Sequence, residues 1–121
     1  MNTVLWIVQG ILAAMFLMAG FMKATSPYEK LTKSMQWATR YPLSAVRIIG
    51  LSEALGAMGL VLPMLLGILP ALTWVAAVAL AIIMIFAMVH HSKHGEKKEM
   101  GFNSVLLLLL LVVIIGRFNL I

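Results

Sequence analysis

From Ala54 to Ser92 the chain carries no Asp, Glu, Lys or Arg. A membrane helix needs about 20 consecutive apolar residues, so this run is long enough for two helices and needs a break between them. Pro63-Met64-Leu65-Leu66-Gly67-Ile68-Leu69-Pro70 supplies it, because two prolines and a glycine punctuate a helix. The reading is a span near 43–62, a tight apolar hairpin, and a span near 69–90. Two further uncharged runs, Asn2–Met22 and Met100–Gly116, give spans near 3–22 and 102–119. The first is not read as a cleavable signal peptide. It lacks a basic n-region and a small-residue cleavage site, and Lys23 follows it directly.

Composition agrees. Of the 121 residues 63% are hydrophobic and 11% charged, whereas soluble domains are near half apolar and a quarter charged. A soluble domain, a disordered chain, a fibre and a separate catalytic domain are all excluded. The fold expected is an all-α integral membrane protein. It is one four-transmembrane-helix bundle over residues 1–121, with a short interfacial amphipathic helix between spans one and two. There is no cysteine, so disulfides, thiol nucleophiles and thiolate metal sites are excluded.

The charges lie between the spans. Lys23, Lys30, Lys33, Arg40 and Arg47 lie in or beside the first connection, and Lys93, Lys97 and Lys98 in the third. Only Arg117 lies toward the other side. Cationic loops stay cytoplasmic, which places residues 23–42 and 91–101 inside and both termini outside. The setting expected is the plasma (inner) membrane of a prokaryote. The basic residues form no dense patch, so no nucleic-acid partner is expected.

Ser26-Pro27-Tyr28-Glu29 reads as a capping box with proline at the first helical position. It opens a helix over about 27–39. Tyr28, Leu31, Met35 and Ala38 share one face, and Lys30, Lys33, Trp37 and Arg40 another. This is a helix that lies at the membrane surface.

Glu53 is the sharpest signal. It falls near the middle of the second span, where an ionised carboxylate costs on the order of 2.5–3.5 kcal/mol. It should face the bundle interior, either neutral or paired, as a proton, cation or ligand site or as a buried polar pin. Ser52, Gly56 and Gly59 form a stripe beside it, and Gly50 and Ala57 flank it. Small stripes let membrane helices approach closely. Lys23, Arg47, His90, His91 and Asn103 fall near the cytoplasmic rim, with Glu53 roughly 12–15 Å deeper at 1.5 Å per residue. Arg117 falls roughly 9–12 Å beyond Glu53 on the same ruler. The residues leave open which cation pairs with Glu53. Lys23 and Arg117 have an equally plain role as snorkelling anchors.

His90, His91 and His94 lie close in sequence, but His90 and His91 point to different faces. The His90–His94 pair needs the helix to continue into a charged loop. No metal site is expected. A haem between helices needs two well-placed ligands, and the other spans have no histidine, so haem is not expected either.

The pieces together resemble the DoxX-like family of small four-span membrane proteins. They are Gly20-Phe21-Met22-Lys23, Gly50-Leu51-Ser52-Glu53-Ala54-Leu55-Gly56 running on through Gly59-Leu60-Val61-Leu62-Pro63, Ala87-Met88-Val89-His90-His91, Asn103 and Gly116-Arg117. The resemblance implies a four-helix bundle with Lys23, Glu53, His91 or His90, Asn103 and Arg117 as its polar positions. Some relatives look like subunits of quinone-linked redox systems, and others help assemble membrane proteins. A family activity that needs a thiol has no counterpart here.

Three functional classes fit these features. The first is an accessory subunit that binds a quinone or lipid-like ligand beside a redox partner. The second is an assembly factor that contacts another membrane protein or a second copy of the chain. The third is a small proton-coupled transporter, similar to the small multidrug resistance exporters. Those exporters place their glutamate in the first span and often show little charge bias, unlike this chain. Support of a partner fits better than solo catalysis.

Overall fold

The computed structural model describes residues 2–34 and 39–118. Five helices follow in order: α1 (Asn2–Thr25), α2 (Tyr28–Ser34), α3 (Leu43–Leu66), α4 (Ala71–Lys93) and α5 (Lys97–Gly116). All except α2 are long and apolar enough to cross a membrane. The chain is therefore a multi-pass, all-α membrane protein.

The four long helices form a ring. α1 packs on α3, α3 on α4, α4 on α5, and α5 returns to α1. Each buries one narrow seam at three- and four-residue spacing, the spacing that keeps side chains on one helical face. The seams are Leu5, Gln9, Leu12, Phe16 and Gly20 on α1, and Val46, Gly50, Glu53, Ala57 and Leu60 on α3. On α4 they are Thr73, Ala77, Leu80, Met84 and His91, and on α5 Asn103, Leu106, Leu110 and Val113. The apolar members make the core. The remaining faces expose Met18, Leu55, Phe86 and Leu108, as expected where the solvent is hydrocarbon rather than water.

The helices outrun the uncharged segments. α1 continues through Lys23 to Thr25, α4 through His90 and His91 to Lys93, and α5 begins at Lys97 rather than near residue 102. Backbone hydrogen bonds do not depend on side-chain polarity, so hydropathy marks the membrane and not the helix end. Pro63 lies inside α3 and does not end it. The helix stops at Gly67, whose φ of 68° is left-handed. Its amide donates to the Met64 carbonyl, and the next amide, of Ile68, donates to Pro63. A glycine is the residue that adopts this closing geometry without strain.

α2 occupies part of the expected surface helix. The Leu31 amide donates to the Pro27 carbonyl, and the Leu31 side chain is buried with Val46. Of the two expected faces, Met35, Trp37 and Ala38 lie outside the described residues.

Candidate functional site

The sequence-derived polar positions do not form one site. They fall into separate clusters at the two ends of the ring.

The first joins α1 to α3. Lys23 Nζ lies 2.6 Å from Glu53 Oε1, with side-chain exposures of 13% and 3%. Glu53 is thus paired, the second of its two expected states. For Lys23 the expected depth difference of 12–15 Å does not hold. α1 and α3 cross where Gly20 meets Gly50 and Ala54. A Cβ on Gly50 would lie 2.6 Å from the Lys23 Cβ, so Lys23 stands level with Gly50, one helical turn from Glu53. The lysine stem spans the remaining rise of about 4.5 Å. The opening of α3 projects past the end of α1, and Arg47 Nη1 donates to the Lys23 carbonyl at 3.4 Å. That places a cation at a helix C-terminus, where the dipole favours one.

The second cluster ties the two charged connections together. Glu96 Oε1 accepts from Arg40 Nη1 at 3.1 Å and lies 2.9 Å from His91 Nδ1. Arg40 Nη1 lies 3.2 Å from His90 Nε2, and the Tyr41 hydroxyl 3.0 Å from His90 Nδ1. Arginine only donates, so His90 Nε2 accepts, and its proton sits on Nδ1 facing the Tyr41 hydroxyl. The His91 hydrogen bond holds the Glu96 carboxyl below the usual carboxylate range; burial opposes this, and Arg40 adds to it. α4 does continue far enough for the His90 and His94 rings to meet, with centroids 4.6 Å apart. Among the described residues no group of three or more His, Cys, Asp or Glu is arranged to hold a metal ion.

The third cluster lies at the opposite end, where α1 begins and α5 stops. Arg117 Nε donates to Gln9 Oε1 at 2.8 Å, and its Nη1 donates to Asn2 Oδ1 at 2.7 Å. Gln9 in turn donates to the Leu60 carbonyl at 2.7 Å. Gln9 and Thr73 carry no charge and were missing from the sequence-derived positions. Their signal was register, since each continues the three–four spacing of its helix's apolar seam.

Asn103 is buried on α5. Of the small stripe, Ser52 is exposed and its hydroxyl donates to the Ile48 carbonyl, which turns it away from Glu53. Gly56 and Gly59 face α4, where a Cβ would press on Leu80 and Ala76. They pack helices rather than line the ion pair. A shallow apolar groove of about 450 Å³ runs between α1 and α3, lined by Gly10, Ala13, Leu17, Ala57, Met58 and Val61 among others. Ala57 lies one turn from Glu53 on the same face.

The model of the DoxX-like family matches residues 7–113. The match contains Lys23, Glu53, His90, His91 and Asn103, and it ends before Gly116 and Arg117. No curated protein and no solved structure matches the chain.

Proposed function

The chain belongs to the DoxX-like family, and from that premise we propose that it is an accessory membrane protein. In this reading it binds an amphiphilic ligand, a quinone or a lipid, at the polar site around Glu53, and supports a membrane redox or assembly process in a partner protein. The observation that carries the reading is the Lys23–Glu53 pair, set within the membrane-spanning helices. An ion pair in such a setting costs desolvation that apolar residues would avoid, and intramembrane ionisable groups are functional candidates by default. The pair offers both a donor and an acceptor to a carbonyl or hydroxyl headgroup. The neighbouring α1/α3 groove supports the reading, because it offers an apolar bed for a tail. The lysine on Glu53 favours binding over proton carriage, since a carrier carboxylate must release its counter-ion in every cycle.

The same proposal includes the setting: the plasma membrane of a prokaryote, with the charged connections inside and both chain ends outside.

The test is purification in mild detergent. The absorbance spectrum is recorded, and co-purifying molecules are identified by mass spectrometry beside Glu53→Gln. A stoichiometric quinone or lipid that is lost in the variant is expected. An empty preparation, or a ligand retained equally by a folded variant, overturns the reading.

A further inference from the structure

Among the described residues, Arg117 is a buried cation without a buried anion beside it. It caps the end of α5 and is 7% exposed. Its described partners are neutral: the Gln9 amide oxygen, the Asn2 amide oxygen, and the Trp6 ring 5.6 Å from the guanidinium carbon. Its Nη2 is buried and has no hydrogen-bond partner among the described residues. No acidic side chain answers it. The chain has four acidic residues, all glutamates. Glu53 is held by Lys23, and Glu96 by Arg40 and His91. Glu29 and Glu99 open α2 and α5 at the opposite end. A buried charge is costly unless it is both paired and hydrogen-bonded.

We infer that Arg117, positioned by Gln9 and flanked by Asn2 and Trp6, is a second binding site, for the phosphodiester of a lipid headgroup. The site is distinct from the Lys23–Glu53 pair and lies at the other end of the ring. Guanidinium matches phosphate through two parallel N–H···O bonds. Gln9 fixes one edge of the guanidinium by holding Nε, and Gln9 is itself fixed by the Leu60 carbonyl. The free edge is the fork of Nη1 and Nη2. Asn2 occupies Nη1 with a neutral oxygen from the exposed first residue of α1. The phosphate displaces that amide and sets one oxygen on each of the two nitrogens.

Location selects a lipid over a soluble anion. Arg117 follows the last residue of a spanning helix. Around it lie Trp6, Trp74 packed edge-on against Phe118, and the exposed Ile115 and Phe118. Aromatic side chains of this kind mark the headgroup level of a bilayer. Arg117, Asn2 and Trp6 lie outside the stretch that matches the family model, and Gln9 lies inside it.

The test is native mass spectrometry of the intact protein released from maltoside micelles. Phosphatidylglycerol is titrated in parallel with diacylglycerol of the same chains and with inorganic phosphate. A saturable one-to-one adduct with phosphatidylglycerol alone is expected. Arg117→Gln should weaken it by about tenfold to a hundredfold, the range of a charge-assisted hydrogen bond. Asn2→Asp supplies a carboxylate to the same fork, and should block the adduct in a protein that remains folded. Glu53→Gln should leave it unchanged, which separates this site from the one proposed above. Equal adducts with diacylglycerol, or saturation by inorganic phosphate alone, overturn the lipid assignment. Wild-type binding in Asn2→Asp overturns the site itself, even if Arg117→Gln fails to fold.

Discussion

Lys23 Nζ and Glu53 Oε1 are 2.6 Å apart because two glycines three residues before each of them, Gly20 and Gly50, bring α1 and α3 into backbone contact. The ion pair and the helix crossing are one structural unit.

That unit should show in a double-mutant cycle. Breaking a buried pair from one side leaves a lone buried charge and costs about 3–5 kcal/mol. Lys23→Met and Glu53→Gln should each lower the thermal midpoint in detergent. The double variant should be more stable than Lys23→Met, which strands the carboxylate. Additive losses would show that the two groups do not interact.

The glycines should differ by position. At Gly50 a methyl would meet the Gly20 carbonyl at 2.7 Å and the Lys23 Cβ at 2.6 Å. Gly50→Ala must therefore push the helices apart, at about 1–3 kcal/mol for overpacking. At Gly10 nothing lies within 4 Å of an added Cβ, and Gly10→Ala should stabilise by about 0.5–1 kcal/mol through helix propensity. Thermal unfolding of the two variants beside wild type checks the opposite signs.

Glu96 should make stability acid-sensitive. Its folded-state pKa is depressed, chiefly by the His91 hydrogen bond, with Arg40 contributing. A depressed carboxylate stabilises the fold above its unfolded pKa of about 4.3, and loses that contribution as pH falls through the lower folded value. Wild type should exceed Glu96→Gln in stability by a constant margin from neutral pH down to roughly pH 5, with the margin closing at lower pH. Unfolding midpoints across that range decide it. A margin that persists below pH 3 would assign the effect to shape rather than charge.

The proposed topology has a direct readout, because the chain has no cysteine. Single cysteines at Lys93 and at Ile68 lie at opposite ends of the ring. In intact cells an impermeant maleimide should label Ile68→Cys and spare Lys93→Cys until the membrane is opened. The reverse pattern would invert the orientation.

The spans were legible because charge-free runs such as Ala54–Ser92 have few alternatives. Glu53 stood out as a lone carboxylate inside one of them. Its partner did not, because depth measured from span ends assumes that α1 and α3 start level. The Gly20–Gly50 contact offsets them, and that contact is a property of packing, not of either helix alone. Arg40, Glu96 and His91 meet through two connections distant in sequence, and no local pattern announces it. Gln9 was hidden by its lack of charge, although it keeps step with Leu5, Leu12 and Phe16.

The ring order also sets a timetable. α1, α3 and α4 can associate as each follows the last out of the ribosome, but the α1–α5 seam waits for α5. Until α5 arrives, Gln9 lacks the guanidinium that holds its oxygen, and Leu12 and Phe16 face a missing wall. Closure of the ring is therefore tied to α5, and the Arg117–Gln9 bond can form only once that helix has joined α1.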